Sequence, residues 1–303
     1  MKIEKIEGNT FCIDTGITYI PFYKINEQEI IMLDSGWAKI ERRGIDELLE
    51  RNSFKVVAII CSHAHQDHIG NNAYLKNKYN CIIAMPIYEA LICSSTTNLK
   101  LYYSSETLSE VTENFGHLVC QTDMMILHKQ DSINVCGIEF RIFHTPGHSP
   151  EHICITTPDD VAYLGDALIS YEIMKASKMP YSYILREDLE SKTKLYELNF
   201  CKYIVAHKGI YSDIRELITD NINFYKHIAK KIYTLIDDDM TLQDILKTVA
   251  KSFNININSK NRYTLIERML KSYVEYLHET GLLQLEVEDG VLKYSEIKVM
   301  EEL

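Results

Sequence analysis

Residues 61–70 read Cys-Ser-His-Ala-His-Gln-Asp-His-Ile-Gly, which places three imidazoles and a carboxylate, His63, His65, Asp67 and His68, within a few positions. Imidazole and carboxylate at this density suit a borderline divalent cation such as zinc. The β-branched apolar run Val56–Ile60 comes just before. It predicts a buried strand, so the group lies where a strand ends and a loop begins. Alternation along an extended segment puts His63 and His65 on one side, able to grip one ion together. Asp67 and His68 open a predicted helix over 67–78 and aim at a second point. The plainer alternative is a polar turn carrying surface histidines.

Three further candidates follow apolar runs elsewhere in the chain. His148 stands in Thr-Pro-Gly-His after Phe140–Phe143, Asp166 in Gly-Asp after Val161–Leu164, and His207 directly after Tyr203–Ala206. Taken in order, His-x-His-x-Asp-His, Thr-Pro-Gly-His, Gly-Asp and a strand-end His resemble the metallo-β-lactamase-fold superfamily of metal-dependent hydrolases. The resemblance implies a four-layer αββα sandwich over residues 1–212. It also implies a division of ligands: His63, His65 and His148 at one ion, Asp67, His68 and His207 at a second, and Asp166 bridging. Asp34, in Leu33-Asp34-Ser35-Gly36, corresponds to a carboxylate beneath the metals.

Such a set leaves each ion an open position, the mark of a catalytic site. Water shared by two divalent ions loses a proton near neutral pH, its pKa falling from ~15.7 towards ~7. The expected reaction is therefore attack of a metal-bound hydroxide on an ester-like carbonyl, in a thioester, lactone or β-lactam. Asp67 has a further catalytic role open to it, orienting that water or taking its proton. No Gly-x-Ser-x-Gly elbow is present, so no protein nucleophile is expected. Zinc is the default metal, with iron or manganese also compatible. Flavin-linked di-iron relatives usually have Glu where His65 stands, which disfavours a redox role. The substrate-binding residues are not legible. Residues 167–200 concentrate Tyr171, Lys175, Lys178, Tyr181, Tyr183 and Arg186 after Asp166 and are the best expectation.

The elements that must position these groups can be read on either side of them. Ile40–Arg51 has an amphipathic pattern suited to covering a sheet face. Cys81–Met85 reads as a second buried strand, closed by Pro86. Pro146 and Gly147 force a bend that aims His148 inward, and Gly165 lets the chain pass close beneath the ions. His152 is expected to support the ligands or pack near them, and His117, His128 and His144 to lie outside the ligand set. Residues 87–128 contain two helix-like stretches, Ile87–Ile92 and Leu108–Phe115, split by Ser94–Thr97. This segment is either a wall over the site or a distant embellishment. After about 213 the pattern changes to amphipathic helices and then a hairpin, Leu283–Val287 and Val291–Tyr294, about Asp289-Gly290. Helices followed by a hairpin resemble the small winged-helix-like domain that some members of the superfamily carry at this end, here 213–303.

The 303 residues, with 46% hydrophobic and 25% charged content, fit one large domain and one small one. A formal net charge of −11 disfavours nucleic acid and anionic membranes as partners. Acidic residues also outnumber basic ones in the C-terminal part, which favours packing, substrate shaping or a homodimer contact there. The alternative function is a metal-dependent nuclease or phosphodiesterase acting on RNA or DNA. A non-catalytic regulator is a third and weaker reading. Eight scattered cysteines without a Cys-x-x-Cys pair read as buried, reduced thiols. The N-terminal residues are charged and lack an apolar core, so the expectation is a cytoplasmic protein acting on a small molecule.

Overall fold

The computed structural model describes residues 1–297; the remaining C-terminal residues of the expected second domain lie outside it. One sheet takes its seven strands in chain order: β1 (Lys2–Glu7), β2 (Thr10–Asp14), β3 (Tyr19–Lys24), β4 (Glu29–Leu33), β5 (Lys55–Ile60), β6 (Ile82–Pro86) and β7 (Met124–Ile126). Its first four strands pair antiparallel and β4 to β7 pair parallel. The second sheet comprises β8 (Ser132–Val135), β9 (Ile138–His144), β10 (Ile153–Thr156), β11 (Val161–Tyr163), β12 (Lys202–Val205) and β13 (Gly209–Tyr211), in spatial order from β13 back to β8.

The two sheets bury one face of each against the other. Ile31, Leu33 and Ile60 from the first pack with Phe140, Ile155 and Tyr163 from the second. Each such aliphatic side chain contributes roughly 1.5–3 kcal/mol by leaving water. The outer face of the first sheet shares a core with α1 (Arg42–Arg51), α2 (Gln66–Ile69), α3 (Asn72–Tyr79), α4 (Ile87–Ile92), α5 (Thr96–Tyr102) and α6 (Leu108–Phe115) through Ile45, Leu49, Leu75, Leu99 and Val111. Beyond the second sheet lie α7 (Tyr171–Ala176), α8 (Leu185–Lys194) and α9 (Arg215–Tyr233), with Leu217 and Ile218 against Leu164 and Val205. The result is the expected helix, sheet, sheet, helix sandwich.

Three differences from the sequence reading have physical causes. The helix expected over 67–78 is two helices. Ser35 and Gly36 donate their backbone N–H groups to His68 O at 2.6 and 3.1 Å, which removes that carbonyl from the helical ladder. The Ser94–Thr97 interruption begins a helix of its own, since Ser95 accepts from Asn98 N and caps α5. Of the eight free cysteines, Cys136 and Cys201 are exposed, whereas the other six are buried as expected.

The C-terminal elements are α9, α10 (Leu242–Ser252), α11 (Lys260–Glu279) and the hairpin β14 (Leu283–Glu288) and β15 (Val291–Glu296). The winged-helix resemblance rests on this element order. Tyr225, Ile232, Ile245, Val249, Leu270, Tyr273 and Leu283 form their core, and Ile169, Met179, Leu185 and Leu189 join it. The helices after 213 are thus packed directly on the stretch that follows Asp166.

Candidate metal centre and its cleft

Strand-end loops and the short helix α2 bring all seven sequence-derived candidates to one place. His63, His65, His148 and Asp166 offer ligand atoms within 4.8 Å of one another, as do Asp67, His68 and His207. Asp166 lies between the groups. Its Oδ2 is 3.2 Å from His148 Nε2, 3.4 Å from His68 Nε2 and 4.0 Å from His63 Nε2, and its Oδ1 is 3.4 Å from His207 Nε2. Asp67 Oδ2 is 3.3 Å from His207 Nε2.

The surrounding hydrogen bonds decide which nitrogens carry lone pairs. Asp34, held in a left-handed backbone conformation, accepts from Ser62 N and, on Oδ2, from Ser62 Oγ, Tyr163 Oη and His68 Nδ1 at 2.6–2.7 Å. Its carboxylate is therefore beneath the candidates, where the resemblance put it. With Nδ1–H donating to Asp34, His68 presents an unprotonated Nε2 to Asp166 when neutral; that nitrogen is buried and has no hydrogen-bond partner. Ser62 Oγ spends its proton on Asp34, so it accepts from His63 Nδ1–H at 3.0 Å and leaves His63 Nε2 facing inward. His65 Nδ1 stands 2.9 Å from His63 Nε2 and 3.1 Å from His148 Nε2, while its Nε2 meets Tyr102 Oη at 3.2 Å. Lone pairs converging on one another and on carboxylates repel unless a cation or protons lie among them. The donor set fits divalent metal ions, with His63, His65 and His68 each oriented through the other ring nitrogen as metal ligands usually are.

Protonation reflects the same crowding. Burial, then neighbouring histidines, pushes His63 and His65 well below the ordinary imidazole range. Burial would lower His207 and His68 too, but Asp166 and Asp67 outweigh it, raising His207 to about 10 and His68 well above its usual value. Burial opposes ionisation of Asp67 and Asp166, yet the adjacent histidines hold both carboxyls below their usual range.

Glycine and histidine support the loops from outside. Gly147 has φ +119°, and a Cβ there would fall 2.0 Å from Asp188 N, so the bend before His148 can press on α8 only without a side chain. A Cβ on Gly165 would meet His152 Nε2 at 2.6 Å. His152 itself accepts from Asp166 N at 3.0 Å through Nε2 and bonds Thr145 Oγ1 at 2.8 Å through Nδ1. Both ring nitrogens are engaged, and the side chain holds the Asp166 backbone. Cys61 turns away, its sulfur accepting from Asn72 Nδ2. His117 and His144 stand outside the seven-residue group, as does His128.

Five residues with a part in this geometry were not singled out from the sequence: Ser62, Glu89, Tyr102, Tyr163 and Arg268. Glu89, buried in α4, accepts from Ala64 N at 2.9 Å and from Ser149 Oγ and Glu151 N at 2.7 and 2.8 Å. It thereby joins the loop of His63 and His65 to the loop of His148. Only Ser62 carried a signal, its adjacency to His63. The others come from helices or a strand whose pattern speaks of packing alone.

A cleft of about 920 Å³ opens over His65 and Asp67, lined also by Tyr102, Tyr181, Tyr183 and Arg268. Residues 101–106 and 114–115 therefore wall the site, one of the two alternatives for 87–128. Within the stretch expected to contact substrate, Tyr181 and Tyr183 line the cleft, and Tyr171, Lys175, Lys178 and Arg186 are not among its lining residues. Arg268 reaches in from α11, its guanidinium 4.1 Å from the centre of the Tyr102 ring and 5.4 Å from that of Tyr181. Its Nη2 is buried without a partner.

Residues 14–94 match the family model of the metallo-beta-lactamase superfamily. A hydroxyacylglutathione hydrolase of Rhodopseudomonas palustris (strain BisB5) is 27% identical over 173 residues, 56% of each protein. The hydroxyacylglutathione hydrolase GloC of Haemophilus influenzae is 27% identical over 62% of this chain and 84% of its own length. The chain spans about half the length of several of the curated relatives it matches. Among solved structures, a metallo-beta-lactamase family protein from Thermus thermophilus superposes with a TM-score of 0.69 at 17% identity, covering 92% of this chain and 94% of that one. The two-sheet sandwich, the superposition and the family match over residues 14–94 show that the chain has the metallo-β-lactamase fold.

Proposed function

We propose that the protein is a dinuclear, zinc-dependent hydrolase that cleaves an ester-like bond, a thioester or lactone, in a small anionic substrate. The observation that carries this reading is the convergence of six side chains about Asp166, with His68 Nε2 and Asp166 Oδ1 buried and unpartnered. His63, His65 and His148 would hold one ion, Asp67, His68 and His207 the other, with Asp166 shared. Bound there, the ions would supply hydroxide at neutral pH and a Lewis acid for the carbonyl oxygen.

The chain's own groups do the rest. Asp67, partly open to the cleft, is placed to orient the attacking water and accept its proton. Tyr102 fixes the ring of His65 from the cleft side. Arg268, a fixed cation with an unpartnered donor, suits a carboxylate or phosphate on the part of the substrate remote from the scissile bond. The volume suits a small molecule better than a polynucleotide. The relatives named hydroxyacylglutathione hydrolase favour the thioester among the ester-like bonds. The eight free thiols suit a reducing compartment, which supports a cytoplasmic location.

The test is a hydrolysis screen of the zinc-loaded protein against acyl thioesters, lactones, cephalosporins and phosphodiesters. Turnover of thioesters bearing an anionic group is expected. Cleavage of phosphodiesters alone would overturn the assignment of the bond.

A further inference from the structure

A second cluster lies outside the seven candidates. His128, His144 and Glu151 offer ligand atoms within 4.8 Å of one another. They come from three segments: the turn after β7, the last position of β9, and the loop between His148 and β10. Glu151 is 2% exposed. Its Oε2 accepts from Tyr88 N at 2.9 Å, whereas its Oε1 is buried with no hydrogen-bond partner. His128 Nδ1 stands 3.7 Å from that oxygen, too far for a hydrogen bond.

The state of His144 follows from its neighbour. Its Nε2 is 2.9 Å from Gln130 O, and a carbonyl can only accept, so Nε2 carries the proton. In the neutral ring Nδ1 then holds a lone pair, and that nitrogen too is buried without a partner. Glu151 Oε1 and His144 Nδ1 are thus two buried acceptors with no donor to satisfy them. A histidine anchored to a backbone carbonyl through its other nitrogen, beside a carboxylate and a second imidazole, is the donor set that zinc takes.

We propose that His128, His144 and Glu151 bind a further divalent cation of the zinc class, with the exposed His128 closing the site from solvent. The site uses none of the seven residues about Asp166 and does not depend on the hydrolase reading. It would brace the active-site loops, because Glu151 N donates to Glu89 Oε1 while Glu89 Oε2 holds Ala64 N between His63 and His65.

The competing explanation is a simple ion pair between protonated His128 and Glu151, and metal counting separates the two. The full chain and its His128→Ala variant are dialysed to equilibrium against micromolar zinc and analysed for metal per chain. Because His128 is exposed, the variant is expected to keep the wild-type circular dichroism spectrum. A loss of one equivalent in the variant is expected, together with loss of part of the zinc-induced rise in melting temperature. Equal metal content in the two proteins overturns the site. Because the reading is a difference, it stands whether or not the seven-residue centre holds two ions. Glu151→Gln gives a second measure: it should show the same deficit, and wild-type metal content in it counts against the proposal.

Discussion

Asp34 Oδ2 lies 2.7 Å from His68 Nδ1, and the same oxygen takes protons from Ser62 Oγ and Tyr163 Oη. One buried carboxylate thus sets the tautomer of His68 directly and that of His63 through Ser62. Asp34→Asn would put an amide among three donors and remove the charge that raises the basicity of His68. The expected result is a roughly 10- to 100-fold loss of zinc affinity, read by competition with a chelating dye, in a chain that still folds. Wild-type affinity in this variant would show that the carboxylate does not tune the ligands.

Asp166 and His152 are bonded to each other, yet their variants should behave differently. Asp166→Ala removes a carboxylate within reach of both ligand clusters, so most bound metal and all turnover should disappear. His152→Ala leaves all seven candidates in place and removes only a support of the Asp166 backbone. It should lower stability by about 2–3 kcal/mol in urea unfolding while metal content stays near wild type. The reverse order would overturn the ligand set.

Protons and metal compete at this centre. His207 is raised to about 10, so the metal-free protein carries a proton there at pH 8, and His68 is shifted in the same direction. Ligands must give these up. Zinc uptake should therefore release protons, seen as a buffer-dependent calorimetric enthalpy, and affinity should climb as pH rises towards 10. The stability of the metal-free fold should follow the opposite trend. A histidine raised above its unfolded value contributes fully below about 6.5 and loses that contribution as pH rises through its folded value. Urea stability of the metal-free chain should fall between those limits, and less so in His207→Gln.

The strands and the seven candidates were legible because both rest on local rules, whereas the four-layer sandwich came from the resemblance those candidates carry. Apolar runs such as Val56–Ile60 mark buried strands, and imidazoles or carboxylates at their ends have few reasons to be there besides a ligand. The cleft walls were not legible. Tyr102 sits in a helix whose capping serine looks like an interruption, and Arg268 lies more than 100 positions beyond Asp166 on a helix whose stripe reports only its buried side. Both enter the site through packing between distant segments, which periodicity cannot register.

Glu89 shows what such packing does to the ligand loops. Burial pushes its carboxyl above the usual range, against which Glu151 N, Ser149 Oγ and Ala64 N all donate to the charged form. In Glu89→Gln one of those N–H or O–H donors must face an NH₂. The expected cost is about 2 kcal/mol of stability and a fall in kcat larger than any change in KM, because the displaced backbone carries His63, His65 and His148. An unchanged kcat would mean that the loops keep their places without this link.

Arg268 separates recognition from chemistry. No contact with a candidate ligand is seen among the described residues; the guanidinium rests on Tyr102 and Tyr181 with Nη2 buried and unpartnered. If it binds the remote anionic group of a substrate, Arg268→Gln should raise KM for a carboxylate-bearing thioester on the order of 10- to 100-fold, as expected of a hydrogen bond to a charged group worth about 1.5–3 kcal/mol. Metal content and kcat should stay close to wild type. A thioester lacking that anion should be hydrolysed equally well by both proteins. Arg268→Lys should rescue only in part, since an ammonium keeps the charge but loses the planar fork and the stacking on tyrosine. Equal losses for charged and neutral substrates would instead assign Arg268 to holding the cleft wall together, and the anionic substrate would have to be abandoned.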